Sequence, residues 1–382
     1  MDRRPIGATI PKQRAPFRAD HVGSLLRPDS LLRARAAHAA GELSAAALRE
    51  VEDAAISDAV RMQREVGLRT ATDGKFRRTS WHMDFIYQIE GISQAAGEIE
   101  VQFTNPEGGL SFTTAAMQVS GPIRIEQPIF GDDFEFLRAV VAGTDSTPKL
   151  TIPSPSMVHY RGGPAAIDPD VYPDEDTFWH DLTAAYRTQV RLIYERGCRY
   201  LQLDDVSLAY LNDPAQRERM AGLGGDAEHQ HEHYIRQINR VIHDRPPDLR
   251  VTTHMCRGNF QSSWAAEGSY DFVAEALFNE LDVDGFFLEY DDERSGSFEP
   301  LRHVPHGKQV VLGLVTTKRG QLEDADDIKR RIEEAATYVP LEQLCLSPQC
   351  GFSSTVEGNN LTYEEQVAKL ELIVKVADDI WG

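Results

Sequence analysis

The chain has 382 residues, 41% of them hydrophobic and 26% charged, and a formal net charge of −20. This is the balance of a globular protein, and the negative charge argues against nucleic acid and anionic membranes as partners. No apolar run reaches the length of a membrane span, and Met1 to Gly7 lacks the apolar core of an export signal. Four cysteines (Cys198, Cys256, Cys345, Cys350) in so long a chain do not suggest a disulfide framework, so a cytoplasmic location with reduced thiols is expected.

Residues 1–17 are polar and rich in Pro and Arg and read as a loose arm, leaving 18–382 as one domain. Ala19 to Ser24 is a first short strand ending in Gly-Ser, with Leu25 to Pro28 turning toward helical sequence. Ser44 caps a long helix to Val66, and Leu68 to Thr72 is a second strand, followed by Asp73-Gly74-Lys75. Residues 87–130 break the rhythm: Glu98 to Thr104 and Leu110 to Ile125 alternate and carry β-branched residues, which predicts an inserted β-hairpin. Helix then resumes over Asp132 to Val141. Strands Lys149–Ile152, Tyr200–Leu203, Val251–Thr253, Gly285–Leu288, Val310–Val315 and Glu342–Leu346 follow, with helices predicted over 176–197, 229–243, 269–280, 325–337 and 362–380. Eight short apolar strands mostly alternating with helices predict a (β/α)₈ TIM barrel with a hairpin insertion after the second strand. A doubly wound sheet would call for a Gly-rich phosphate loop after the first strand, and no G-x-G-x-x-G is there.

Catalytic groups of such barrels sit at the C-terminal ends of the strands. Here those ends carry Ser24, Asp73 and Lys75, Ser154 and Ser156, Asp204 and Asp205, His254 and Cys256, Glu289, Lys318, and Cys350. His254 and Cys256 lie two apart, so on a strand both point to one face. With Glu289 and Cys350 they offer one N, one O and two S donors, a set that fits four-coordinate Zn²⁺ and disfavours magnesium or calcium. Cys198 and Cys345 lie inside apolar elements and read as core residues. A zinc with thiolate ligands at a barrel mouth can take an incoming thiol and lower its pKa, which points to S-alkylation of a small thiol.

With these motifs in view, the chain resembles the cobalamin-independent methionine synthase family, in its short single-barrel form. The matching stretches are Phe17 to Pro28, Thr72 to Arg78, Leu201 to Asp205, His254 to Asn259, Phe287 to Arg294 and Ser347 to Phe352. The resemblance implies a zinc held by His254, Cys256, Glu289 and Cys350 that binds and activates the thiol of homocysteine. It implies that Gly23 and Ser24 bind the substrate carboxylate and that Asp204 holds its amino group. Asp73 and Ser154 are further candidate substrate-binding residues, and Asp204 and Lys75 candidate catalytic ones. The methyl donor in the long members is methyl-tetrahydrofolate.

Two departures from the family pattern stand out. Lys75 replaces a glutamate that helps hold the substrate ammonium, and a lysine there repels an ammonium and attracts an anion. An epoxyalkane:coenzyme M transferase, which opens epoxides with a zinc-bound coenzyme M thiol, is therefore the alternative reading. Second, Thr316-Thr317-Lys318 lacks the histidine that serves proton transfer in the long members, leaving His21, His82 and His159 as substitutes. Two further readings are a metal-free, decarboxylase-like barrel, which would tolerate Cys256→Ser, and a non-catalytic zinc-binding barrel, whose ligands no thiol would displace.

Overall fold

The computed structural model describes residues 14–105 and 108–382, without the side chains of 96–99 and 114–115. In chain order its strands are β1 (Thr70–Ala71), β2 (Glu90–Asn105), β3 (Gly108–Arg124), β4 (Thr147–Pro148), β5 (Leu150–Pro153), β6 (Tyr200–Asp205), β7 (Arg250–Met255), β8 (Gly285–Glu289), β9 (Gln309–Val315) and β10 (Leu344–Pro348). β5 to β10 form one all-parallel sheet in sequential order. These strands are buried at nearly every position, as strands covered on both faces must be.

The two edges of this sheet are joined through residues 18–24. On one side the Asp20 N–H donates to the Leu346 carbonyl (3.0 Å) and the Leu346 N–H to the Arg18 carbonyl (2.8 Å); on the other the Leu25 N–H donates to the Gly74 carbonyl (3.1 Å). β1 pairs in parallel with β4, which runs through Lys149 into β5. The ring therefore closes over eight positions, and the expected (β/α)₈ barrel is the fold. Residues 19–24 join it only through isolated bridges at Ala19 and Ser24, because Gly23 takes φ +122° and interrupts the ladder.

The outer helices follow the sequence signals. Ser44 accepts from the Ala47 N–H at the start of Ala45–Glu65, Asp174 accepts from Thr177 at the start of Glu175–Glu195, and Thr362 with Glu365 forms a capping box for Tyr363–Trp381. The helix expected over 269–280 starts only at Ala274. Tyr270 is instead drawn beneath β8, where its hydroxyl accepts the Glu289 N–H at 2.9 Å. Of the expected arm, residues 1–13 lie outside the described residues; Ala15 and Phe17 are buried against Tyr200, and Arg250 Nε donates to the Ala15 carbonyl.

The lower barrel interior is polar. Lys149 Nζ donates to Asp20 Oδ1 (3.2 Å), to Gln202 Oε1 (3.0 Å) and to the His21 carbonyl, and the Tyr200 hydroxyl donates to Asp20 Oδ2 (2.9 Å). Gln202 Nε2 donates upward to Asp204 Oδ1 at 2.6 Å, linking this network to the mouth. Each member is fully buried or nearly so, and each charge has its partner, as burial of ions demands.

Candidate metal centre and cleft

His254 is the penultimate residue of β7, and Cys256 follows just past its end. Cys350, just past β10, comes across the mouth to meet them. Cys350 Sγ stands 3.3 Å from Cys256 Sγ and 3.5 Å from His254 Nε2, and the three ligand atoms all lie within 4.8 Å of one another. All three residues are buried, and neither sulfur is in a disulfide. Zn–S and Zn–N bonds of about 2.3 and 2.0 Å in a tetrahedron separate their ligand atoms by roughly 3.5–3.8 Å; the trio, at 3.3 and 3.5 Å, is a little tighter than that, with three of four positions represented. Glu289 stands outside the 4.8 Å set but borders it. Its side chain is fully buried, Oε2 accepts the Arg257 N–H at 3.2 Å, and Oε1 has no hydrogen-bond partner among the described residues. A buried carboxylate oxygen without a hydrogen-bond partner among the described residues, near two thiols and an imidazole, could serve as a fourth cation-binding position.

The electrostatics agree with a proton shared among the ligands. The hydrogen bond between the sulfurs holds Cys350 well below the usual thiol range and, with burial, pushes Cys256 well above it. Burial works against charge on His254, but the Cys350 sulfur beside it outweighs that and raises its pKa. Burial raises the Glu289 pKa, while the Lys318 ammonium works against it. Lys318 is itself nearly buried, 3.7 Å from Asp291 and without a hydrogen bond on Nζ among the described residues.

Opposite the sulfurs lies the second group the sequence singled out. Lys75 Nζ donates to Asp204 Oδ2 at 2.6 Å, with both side chains about 5% exposed. Lys75 reaches this place from a left-handed backbone (φ +58°) after Gly74 (φ +65°), and Asp73 Oδ1 caps its N–H at 2.9 Å. Asp204 takes its other bond from Gln202. Of the remaining candidates, Ser154 donates to Asp205 Oδ2 (2.6 Å) alongside Ser156 (2.8 Å) and serves to hold that carboxylate. Ser24 is buried under the β10 loop, where a Cβ on Gly351 would come within 1.8 Å of Ser24 Oγ. Gly23, Ser24, Asp73, Ser154 and Glu289 do not line the open cleft; Lys75, Asp204, His254, Cys256 and Cys350 do.

That cleft holds about 690 Å³ of space between atoms, part of it open to solvent. Its roof is the inserted hairpin. β2 and β3 pair antiparallel, and Val101, Phe103 and Phe112 near their far end face the cleft. Phe112 and Phe103 pack on Phe260, with ring centroids 4.8 and 5.4 Å apart. Thr104 exchanges both backbone hydrogen bonds with Trp264, at 2.7 and 2.9 Å, so the hairpin is fastened to the loop that carries Cys256. Of the three spare histidines, His82 lines the cleft, with Ser80 Oγ 3.1 Å from its Nδ1. Burial, with Arg161 and Lys75 nearby, keeps His82 well below its ordinary pKa and so neutral. His21 lies in the barrel interior, and His159 bonds the Tyr234 hydroxyl at 2.8 Å.

Sequence reasoning missed three contributors. Arg257 is buried; it donates to the Glu289 and Gly268 carbonyls and to Tyr270, fixing the ligand-bearing loop. The Arg-Gly pair after Cys256 was a usable signal: Gly258 takes φ +94°, and a Cβ there would lie 2.7 Å from the Tyr210 hydroxyl. The other two, Arg161 and the hairpin aromatics, become neighbours of the site only through tertiary packing.

A closed parallel barrel with a buried His/Cys/Cys cluster at its C-terminal mouth is the architecture of a barrel enzyme whose site could hold a metal ion. The comparisons make this specific. The model of the family described as "Cobalamin-independent synthase, Catalytic domain" matches residues 18–379, and the chain belongs to that family. Membership places it among methyltransferase-type enzymes, with transfer to a thiol as the reaction class. The chain is 47% identical over 375 residues to the uncharacterized protein YxjG of Bacillus subtilis, covering 98% of this chain and 97% of that one. A solved structure from Listeria monocytogenes, described as a candidate vitamin-B12 independent methionine synthase, aligns with a TM-score of 0.77 at 39% identity, over 97% of this chain and 99% of that one. A B12-independent methionine synthase from Shewanella, solved with selenomethionine, shares the fold at a TM-score of 0.68 and 17% identity, over 95% and 96% of the two chains. Among the described residues, no helix is long and apolar enough to cross a membrane.

Proposed function

We propose that this protein is a zinc-dependent S-methyltransferase that activates a small thiol, homocysteine or a related one, as the methyl acceptor. The observation that carries the reading is the trio His254, Cys256 and Cys350, buried at one side of the cleft with their ligand atoms within 4.8 Å. His254, Cys256, Cys350 and Glu289 would hold the ion. When bound, zinc supplies a lowered pKa for an incoming thiol, so that it is a thiolate at neutral pH.

The chain's own residues do the rest. Arg257 orients Glu289 and the Cys256 loop, so the ligand set is in place before substrate arrives. The hairpin aromatics and Phe260 keep water from the reacting sulfur, which preserves its nucleophilicity and holds the methyl donor close. His82, in the cleft wall and held neutral by burial with Arg161 and Lys75 nearby, does not retain the proton that the thiol sheds, so that proton leaves to solvent. The sulfur then forms a bond to the donor's methyl carbon as the bond from that carbon to the leaving group breaks. Two thiolate ligands fit a reducing cytoplasm, where both stay free.

The test is formation of methionine by zinc-loaded protein supplied with homocysteine and methyl-tetrahydrofolate, with proton release on thiol addition followed in parallel. Methionine formation that is lost in Cys256→Ser is expected. Neither methionine nor proton release from the zinc-loaded wild type would overturn the reading.

A further inference from the structure

The carboxylates facing the cleft already have their hydrogen bonds filled by the protein, and Asp204 is in addition paired with an ammonium. Asp204 Oδ2 accepts from the Lys75 ammonium at 2.6 Å and Oδ1 from Gln202 at 2.6 Å. Asp205 Oδ2 accepts from Ser154 and Ser156, and Oδ1 from Ser207 (2.7 Å) and the Leu208 N–H (2.9 Å). Asp73, which might have served instead, caps the Lys75 N–H and is not in the cleft wall. A cationic group entering here would find no free counter-ion outside the metal cluster, and it would approach the Lys75 ammonium.

The positive side of the cleft is the reverse. Arg161 lines it, and its buried Nε has no hydrogen-bond partner among the described residues; its guanidinium is in none of the ion pairs formed by those residues. Arg161 is half-buried, and a guanidinium outside any ion pair in a confined, partly apolar cleft is placed to take a carboxylate or similar anion, which would pair with it. Lys75 is also built in rather than stray: two consecutive left-handed residues, Gly74 and Lys75, and the Asp73 cap direct it to Asp204.

We infer that the cleft selects its acceptor thiol by an anionic end and gives no recognition to an ammonium, with Lys75 as the specificity-determining residue and Arg161 as the anion partner. This rests on the thiol-activation reading above. For a homocysteine-like acceptor, the α-amino group is then dispensable. A thiol of the same length with a carboxylate and no amine, 4-sulfanylbutanoate, binds at least as well.

The test compares the two thiols on the zinc-loaded protein by calorimetry and by proton release, which do not depend on the methyl donor. Wild type is expected to bind 4-sulfanylbutanoate at least as tightly as homocysteine. Lys75→Met, which leaves Asp204 free for an ammonium, should move the ratio of the two dissociation constants at least tenfold toward homocysteine. Lys75→Gln keeps a hydrogen bond to Asp204 and should move it in the same direction, which guards against poor folding of the first variant. Arg161→Met should weaken both thiols together. A tenfold or greater wild-type preference for homocysteine, or a ratio unmoved in both Lys75 variants, overturns the inference while leaving thiol activation intact. Absence of proton release with either thiol overturns the activation reading, and this inference with it.

Discussion

The barrel holds two polar groups, one in its lower interior and one at its mouth, and they differ in how fully their charged members are paired. Below, Asp20, Lys149, Tyr200 and Gln202 satisfy one another across three barrel positions. Above, Glu289 Oε1, His254 Nδ1, Lys318 Nζ and Arg161 Nε have no hydrogen-bond partners among the described residues. The lower group is fully buried, and at the mouth Glu289 and His254 are buried while Arg161 and Lys318 are only partly so; burial alone therefore does not separate structure from function. Leaving a buried polar atom unpaired costs about 1–3 kcal/mol, and a fold tolerates several such costs in one place where a ligand removes them. The lower network holds the barrel together; on the proposed reading the upper one is completed by a cation and a substrate.

The comparison can be broken most sharply at the sulfur. Cys256→Ser should reduce bound zinc from about one per chain to below about a tenth and lower methyl transfer by about a thousandfold or more, with little change in thermal stability. Metal analysis and an unfolding scan on the same sample check this. Lys149→Met should do the opposite. It leaves Asp20 charged and buried without its ammonium, at a cost of about 3–5 kcal/mol, while the folded fraction still binds zinc in full. Urea unfolding with metal analysis separates the two effects.

Acid gives a third contrast. Burial, with Lys149 beside it, pushes His21 down to about 4 from an ordinary 6.5. Below pH 6.5 the unfolded chain takes up a proton that the folded barrel refuses, so stability falls as pH drops from 6.5 to 4 and this contribution levels off below. The loss amounts to about 3 kcal/mol, and His21→Gln should flatten that part of the stability–pH curve. The smallest effect concerns the roof. Phe112→Ala removes one ring contact to Phe260, for about 0.5–1.5 kcal/mol, and should raise the KM for the donor by about tenfold with zinc content unchanged.

Much of this architecture is readable from the chain. The β-branched strand runs, the Ser44, Asp174 and Thr362 caps and the alternation over 87–130 announce the barrel and its hairpin, because each rests on local periodicity or local hydrogen bonding. The His-x-Cys pair is likewise local. Where sequence reasoning stops is where partners come from distant segments. Arg161, 96 residues short of Arg257 in the chain, becomes a cleft residue only because the barrel brings the two loops to one mouth. The short 274–280 helix depends on Tyr270 finding β8, which no pattern in 269–280 reveals. Lys75 was visible as an odd residue in its motif, but its partner Asp204 lies 129 positions away, and only closure of the ring decides between Asp73 and Asp204.

The most direct test of the account is X-ray absorption at the zinc edge on the loaded protein, before and after adding a small thiol. Two sulfur neighbours with lighter N/O ligands, rising to three sulfurs with the thiol, is the predicted result. A protein that holds no zinc, or a shell that the thiol leaves unchanged, would contradict it.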